Sequence, residues 1–323
     1  MEQINIREAK KSDSAEIVEL LKIALGEGTE KSVANWHWKH YDNPFGKSKI
    51  YVATIGPEIV GVRAFMQWKW LEKSTGKELR ALRAVDTAVS PDHQRKGIFL
   101  TLTNHALEMV REENFDFIFN TPNAKSIGGY LKLGWVLNRR IPVNLLVNPL
   151  FWFSSKKKIE KLAEGTVPFL ETKNSKFHSP FSKSDIECAF SIDYFKWRYV
   201  DNPLATYKYF QCNDSVLVVY RLKVTKKITE CRVVDIQLLD PNAHSQIKKA
   251  LTLLSKRYLV VSMADGIVKA TLLSSPFFVA LRLQKKGPNM VTKNVNLPES
   301  KYQDLLNTRS PYWGFNLGDM ELF

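Results

Sequence analysis

The strongest constraint on the fold is a segment that occurs twice. The sequence NWHWKHYDNPFGKSKIY at 35–51 is echoed by YFKWRYVDNPLATYKYF at 194–210, and Trp, Asp, Asn and Pro recur at one constant offset. Each copy is followed by strand-like runs, then by Arg-x-Val-Asp at 83–86 and 232–235, and then by a helical pattern. A shared order of motifs predicts two related domains in tandem.

The length and composition agree with two domains. A chain of 323 residues has room for roughly two hydrophobic cores, and 44% hydrophobic with 25% charged residues is typical of a globular protein. We predict a first domain over 1–150, a basic connecting segment over 151–185 and a second domain over 186–323. The terminal sequence YWGFNLGDMELF at 312–323 alternates in polarity and is expected to complete the second sheet.

Charge and cysteine content limit the partners. The 47 Lys and Arg exceed the 33 Asp and Glu, which gives a formal net charge of +14. A basic chain attracts anions, such as nucleotide cofactors, sugar nucleotides or nucleic acid. The three cysteines have no spacing typical of a zinc site or a disulfide framework. Since the N-terminal sequence also lacks the apolar core of a signal peptide, we expect a cytoplasmic protein without a membrane span.

Periodicity predicts a mixed α/β first domain. Residues 2–8 alternate as a strand does, and a helix follows from Asp13, which can cap it. The next predicted elements are strands at 49–55, 59–70 and 79–89, a helix at 97–112, a strand at 115–121 and a helix at 124–133. The expected buried stripe of the 97–112 helix is Phe99, Leu102, Ala106, Met109 and Val110.

The basic turn within RAVDTAVSPDHQRKGIFLTL (83–102) is a candidate anion site. A helix N-terminus presents unpaired N–H groups and a partial positive charge, and Gly97 lets the backbone approach a ligand closely. Gln94, Arg95 and Lys96 add donors and charge. We predict a pyrophosphate here, although neither the P-loop nor the dinucleotide glycine spacing occurs. The second copy has no glycine and few cations at this place, so only the first domain is expected to bind the ligand.

Two motifs resemble those of the GNAT superfamily, the acetyl-CoA-dependent N-acetyltransferases. The turn resembles the CoA-binding motif through Val89, Pro91, Gln94 and Gly97, and departs from it at Phe99, where the family has Gly or Ala. The downstream segment NAKSIGGYLKLGW resembles the other signature of the family through Asn123, Ser126, Tyr130, Gly134 and Trp135. The resemblance covers residues 1–149 and extends to the second half in outline.

The resemblance implies mixed, mostly antiparallel sheets flanked by helices, with acetyl-CoA as cosubstrate. Pantetheine would pair with the backbone of Ala88 and Val89 between two splayed strands. The cofactor-binding residues that the resemblance implies are Ala88, Val89, Gln94, Arg95, Lys96, Gly97, Ile98, Phe99, Leu100, Asn123 and Ser126. By its place in the motif, Tyr130 is the candidate acid that protonates the departing thiolate.

The base is less firmly indicated. Asp86 lies on the strand that leads to the turn and is the candidate. Asp235 recurs at the matching place in the second copy, which favours a structural role for both aspartates at least as strongly. His93 and His105 are weaker candidates. His37 and His40 are three residues apart, but no third ligand is near, so we expect no metal.

The resemblance implies direct attack of a primary amine on acetyl-CoA, with the second domain as the far wall of the acceptor cleft. Chains of this kind resemble bacterial transferases that act on amino sugars. The alternatives are a longer-chain acyl or aminoacyl transferase on the same double fold, and a non-catalytic module that binds CoA or nucleic acid. No RNA-binding signature occurs, so nucleic acid is not expected.

The repeated Trp-x-x-x-Asp-Asn-Pro segment is interpreted as a packing anchor rather than a substrate wall. The acceptor, the acyl length and the oligomeric state stay open.

Overall fold

The structure is a computed structural model that describes residues 3–28, 30–124, 126–151, 177–181, 184–226, 228–264, 279–283, 287–307 and 313–320. Most of the predicted connecting segment, 151–185, lies outside the described residues. The described strands form a nine-stranded and a six-stranded sheet. Helices flank both sheets, so the predicted fold class is confirmed. No helix in these ranges is long and apolar enough to cross a membrane.

The first half contains the predicted strands and helices with small shifts at their ends, and one additional helix, α2. The strands are β1 Ile4–Glu8, β2 Lys49–Ile55, β3 Glu58–Glu72, β4 Lys77–Val89, β5 Phe117–Asn120, β6 Val136–Arg140 and β7 Val143–Val147. The helices are α1 Ser14–Leu25, α2 Val33–His40, α3 Ile98–Glu112 and α4 Ile127–Lys132. The buried stripe of α3 begins at Ile98 and continues through Leu102, Ala106 and Val110. Phe99 was predicted to be buried and is 37% exposed, because it lies one residue off this i, i+4 row.

The second half repeats the central order of the first half, a helix, three strands, a helix and a strand. Its strands are β8 Ile186–Cys188, β9 Lys208–Cys212, β10 Val216–Val224, β11 Thr229–Leu238, β12 Val260–Ala264, β13 Val279–Leu283, β14 Asn289–Asn294 and β15 Trp313–Gly314. Its helices are α5 Ile192–Phe195, which continues as a π-helical turn over Lys196–Val200, α6 His244–Arg257 and α7 Glu299–Leu306. The terminal strand β15 pairs with β8, which pairs with β3. The prediction that this segment completes the second sheet is therefore wrong, since alternation identifies a strand but not its neighbour.

Both sheets contain strands from both halves of the chain. The first sheet includes β14, β8 and β15 of the second half, with β8 paired to β3, and the second sheet includes β7 of the first half. The first sheet has the order β1-β2-β3-β4-β5-β14-β6, and β14 comes from the second half of the chain. The second sheet has the order β13-β7-β12-β11-β10-β9, and β7 comes from the first half. β7 and β14 each run antiparallel to both of their neighbours. Neither half completes its sheet alone, so the division predicted at residue 150 divides the chain but not the sheets.

The repeated tryptophans meet at the centre of the molecule. The Trp38 and Trp197 rings stack with centroids 4.9 Å apart and planes 18° apart. Each indole N–H donates to the backbone carbonyl of the other residue, at 2.8 Å in both directions. The Asn of each repeat closes a turn, since Asn43 accepts from the Phe45 N–H and Asn202 from the Leu204 N–H. This reciprocity is what a local twofold axis between the halves produces. It supports a packing role for the two tryptophans, which also line a cavity described below.

Candidate active site

The site begins where β4 and β5 separate. These parallel strands pair only over Ala81–Arg83 and Phe117–Phe119. Beyond Arg83, no strand among the described residues pairs with this edge of β4, which includes Ala88 and Val89. The Arg83 guanidinium donates to Thr121 Oγ1 at 2.8 Å, and so links β4 to the chain that leaves β5. An open strand edge offers backbone N–H and C=O groups to an extended ligand.

The basic turn lies directly after this edge. Gly97 caps the N-terminus of α3 with φ +79°, in the left-handed region, and a Cβ placed there would meet no atom within 4 Å. Arg95 also has a positive φ, +63°. Gln94, Arg95, Lys96 and Gly97 are all exposed. The Leu100 N–H already donates to the Gly97 carbonyl at 3.0 Å, so the N–H groups left for an anion are those that precede it.

The second motif forms the start of α4 and places Tyr130. Asn123 and Ser126 bond each other, since the Ser126 N–H and hydroxyl lie 3.0 and 3.2 Å from Asn123 Oδ1. The Tyr130 ring packs edge-on against Trp135. Lys293, on the exchanged strand β14, donates to the Leu133 carbonyl at the C-terminal end of α4, at 3.0 Å. The second half of the chain therefore supports the helix that carries Tyr130.

Asp86 occupies a β-bulge in β4. The register of β3 with β4 shifts between Arg63–Thr87 and Ala64–Val85, which leaves Asp86 without an opposite residue. Its φ is +31°, an uncommon value for a residue with a side chain. Strained backbone of this kind clusters at functional sites. The bulge turns the Asp86 carboxylate toward α2 and leaves the side chain 21% exposed.

Two residues of α2 bind the Asp86 carboxylate. Lys39 Nζ donates to Asp86 Oδ2 at 2.8 Å, and His40 Nε2 lies 2.9 Å from the same oxygen. The other ring nitrogen of His40 lies 2.8 Å from Ser48 Oγ. Burial by itself raises the pKa of Asp86, but the Lys39 ammonium and the His40 hydrogen bond outweigh it and hold this pKa well below its usual range. Asp86 is therefore a carboxylate at neutral pH.

The sequence did not identify Lys39 and His40 as partners of Asp86. His40 was considered only with His37, yet the two rings separate: His37 Nε2 lies 3.2 Å from Ser14 Oγ. No group of three potential metal ligands occurs among the described residues. The repeat relates this pair to one in the second copy. Tyr199 stands at the position of His40 in the repeat, and it donates to Asp235, the equivalent of Asp86. Of the other histidines, His93 lies in the turn, and His105 packs edge-on against Tyr51.

A cavity of about 500 Å³ opens beside Asp86 and is lined by both halves of the chain. Its walls are mainly apolar and aromatic, and include Trp36, Trp38, Trp68, Trp197, Leu21 and Tyr207. Its polar lining includes Asp86, Lys39, Lys31, Arg221 and Asn123. A smaller cavity of about 330 Å³ beside Phe45 and Cys188 contains none of the predicted site residues. Ligand sites in proteins have this size and this mixture of apolar walls with a few polar groups.

Comparison with protein families identifies the first half. Residues 5–137 match the family described as the acetyltransferase (GNAT) domain. The match includes β1 to β5, the basic turn, Asp86 and Tyr130. A comparison with curated proteins gives no match.

Solved structures share the fold across nearly the whole chain. A conserved protein of Enterococcus faecalis has a TM-score of 0.64 at 9% identity, over 91% of this chain and 73% of its own. A GCN5-related N-acetyltransferase of Anabaena variabilis has a TM-score of 0.62 at 12% identity, with the same two coverages. One from Kribbella flavida has a TM-score of 0.56 at 11% identity, over 90% of this chain and 71% of its own. The likeness therefore extends to the second half, at identities that establish the fold alone.

Proposed function

Because residues 5–137 form a GNAT acetyltransferase domain, we propose that this protein transfers an acetyl group from acetyl-CoA to a primary amine of a small acceptor. The observation that carries the proposal is the open edge of β4 leading into the glycine-capped, basic N-terminus of α3. An extended pantetheine fits the first feature and a pyrophosphate the second. The two features follow each other along the chain, the edge of β4 and then the start of α3, in the order in which CoA presents these groups.

The acceptor binds in the cavity beside Asp86. This cavity lies on the α2 face of β4, whereas Thr87 and Tyr130 lie on the opposite face, so acceptor and donor meet across the bulge. Aromatic walls suit an acceptor with a flat or apolar body, and Arg221 suits one that also carries a negative charge. Lys31 in the same lining is already paired with Glu30 at 2.9 Å. An amino sugar or a sugar nucleotide satisfies these conditions.

Asp86 and Tyr130 divide the proton chemistry. The amine nitrogen attacks the thioester carbonyl, and the carbon–sulfur bond breaks. The Asp86 carboxylate stabilises the positive charge that develops on the nitrogen, and solvent in the cavity takes the released proton, since a carboxyl with a lowered pKa is a weak base. Tyr130 gives its proton to the departing thiolate.

Titration calorimetry with acetyl-CoA tests the donor site. We expect one site per chain and loss of binding in a variant with an acidic residue in the turn. Screening of amines, followed through release of the CoA thiol, then identifies the acceptor. No binding of acetyl-CoA by folded protein contradicts the proposal.

A longer acyl donor is the second candidate, because the cavity beside Asp86 has mainly apolar walls. Such walls would take a long hydrocarbon chain as readily as an apolar acceptor. Acetyl-, octanoyl- and myristoyl-CoA separate the two cases. Equal affinity for all three donors supports the acetyl reading, whereas affinity that rises with chain length places the acyl chain in the cavity. We place the reaction in the cytoplasm, where CoA thioesters are available.

A further inference from the structure

The buried arginine Arg63 lies beside the proposed acid. Arg63 is on β3, directly opposite Thr87 of β4, and is 0% exposed. Its Nη1 donates to Thr87 Oγ1 at 2.6 Å and to the Tyr130 hydroxyl oxygen at 3.4 Å. Its guanidinium carbon lies 5.6 Å from the centre of the Tyr130 ring. A cation is thus placed between the strand that carries the bulge and the helix that carries Tyr130.

The guanidinium of Arg63 is incompletely satisfied. Its Nε and Nη2 have no hydrogen-bond partner within the described part of the protein. A buried cation without a full set of acceptors is costly. The Phe65 ring, 4.6 Å away, compensates only in part through a cation–π contact. Retaining a cation at this place makes physical sense if negative charge forms beside it during turnover.

We propose that Arg63 is a positioning residue that orients and charge-balances Tyr130 during departure of the thiolate, an inference that rests on the proposed function. Because Nη1 donates to the phenol oxygen, the phenol O–H is free to donate elsewhere, toward the sulfur. When the proton passes from oxygen to sulfur, the phenolate forms next to the guanidinium, where a low local dielectric strengthens their attraction. Solvent returns a proton to Tyr130 after the products leave.

A purely structural role for Arg63 makes a different prediction. In that case the guanidinium only anchors the bulge through Thr87, and its loss affects turnover whether or not residue 130 carries a hydroxyl. A double-mutant cycle between the two residues separates the roles.

The cycle uses Arg63→Met, Tyr130→Phe and the double variant. We measure the acetyl-CoA dissociation constant by calorimetry, and kcat by thiol release with the amine found in the screen. We expect kcat of Arg63→Met to fall about 10- to 100-fold, the range of a charge-assisted hydrogen bond, with acetyl-CoA affinity within about 3-fold of the parent. In the Tyr130→Phe background the same change should have little further effect, and Arg63→Lys should recover part of kcat.

Two results would overturn the inference. If the kcat losses of the two single variants multiply in the double variant, the two residues act independently. If Arg63→Met and Arg63→Lys lose the same kcat, the positive charge of Arg63 does not assist Tyr130. If Arg63→Met does not fold, Thr87→Val replaces it, since it frees the guanidinium from its anchor while keeping the charge. Failure of wild-type protein to bind acetyl-CoA contradicts the proposed function instead, so the two failures are distinguishable.

Discussion

In both halves two parallel strands pair and then separate, and among the described residues a backbone segment fills the gap only in the second half. β11 and β12 pair over Glu230–Arg232 and Val260–Ser262 and then separate, as β4 and β5 do. In the second half, however, His178 pairs with Leu238 through two backbone hydrogen bonds of 2.8 Å. Leu238 is three residues after Asp235, as Val89 is after Asp86. The chain itself therefore makes, in the second half, the backbone contact that pantetheine is proposed to make in the first.

The equivalent aspartates, Asp86 and Asp235, also differ in whether their surroundings are open or filled. Asp86 faces a cavity and is bound by Lys39, whereas Asp235 is buried and accepts from Tyr199 and Gln237. Burial, reinforced by the charge of Asp319, raises the pKa of Asp235 to about 8. Equivalent positions thus hold a cavity-facing carboxylate at Asp86, which is the bulged residue of its strand, and a buried carboxyl at Asp235, where the bulge falls one residue earlier, at Val234. The separation of the two parallel strands is therefore a property of the fold. The residues that surround the gap decide whether it can bind a ligand.

The largest expected effect is on Gly97. Gly97→Glu should lower acetyl-CoA affinity at least about 100-fold, because it adds a negative charge at the anion site as well as bulk. Gly97→Ala measures the strain of a side chain at positive φ separately and should cost less. Asn242→Glu, in the exposed turn before α6, is the matched control and should have no effect. Calorimetry checks all three, and unchanged affinity in Gly97→Glu removes the proposed cofactor site.

Replacing the candidate acid should separate turnover from binding. Tyr130→Phe keeps the ring that packs on Trp135 and removes only the hydroxyl. We expect kcat to fall about 100-fold, within the range of general acid catalysis, with acetyl-CoA affinity nearly unchanged. Full activity in this variant would return Tyr130 to a packing role.

The backbone pairing of His178 with Leu238, which fills the gap in the second half, can be tested by removing the N–H of residue 178. His178→Pro removes the N–H that donates to the buried Leu238 carbonyl. We expect the free energy of unfolding in urea to fall by about 1–3 kcal/mol, the cost of an unpaired buried carbonyl. His178→Ala keeps the N–H and should cost much less. Equal losses in the two variants would mean that the side chain, and not the strand-like pairing, stabilises this edge.

The tryptophan pair tests the symmetry of the halves. Trp38→Phe and Trp197→Phe each remove one indole hydrogen bond and keep an aromatic ring. Each should lower the free energy of unfolding by about 1 kcal/mol, and the double variant should reveal coupling through the stacked rings. Markedly unequal single effects would contradict the equivalence of the two repeats.

The last expected effect is a change in how stability depends on pH. The folded pKa values of about 8 for Asp235 and about 7 for Asp319 lie above the value of about 3.9 in an unfolded chain. Their contribution to stability is therefore complete below about pH 4 and is lost as the pH rises toward 8. Asp319→Asn should flatten this decline in urea unfolding between pH 5 and 8. Asp86 has the opposite sign, since its lowered pKa makes its contribution disappear only in acid. An unchanged slope in Asp319→Asn would contradict the raised pKa values of the two buried carboxyls.

The sequence by itself determined the local elements and the motifs. Period-2 and period-3.6 patterns identified most strands and helices of the first half, with α2 as an exception, because side-chain direction depends on neighbours only a few residues away. Glycine at the α3 cap was identifiable for the same reason, since a positive φ is a property of one residue. The repeat of 35–51 at 194–210 also predicted two related halves.

Only the tertiary structure decided how those halves combine. The exchange of β7 and β14, the binding of Asp86 by Lys39 and His40, and the pairing of His178 with Leu238 join residues that are distant in sequence. No periodicity reports such contacts, because each depends on how elements distant in sequence pack or pair after the sheets have formed. The same applies to Arg63, whose place under Tyr130 arises from strand register and helix docking together. The candidate site was thus predicted at the level of its motifs, and its charges and cavity were fixed by packing between the halves.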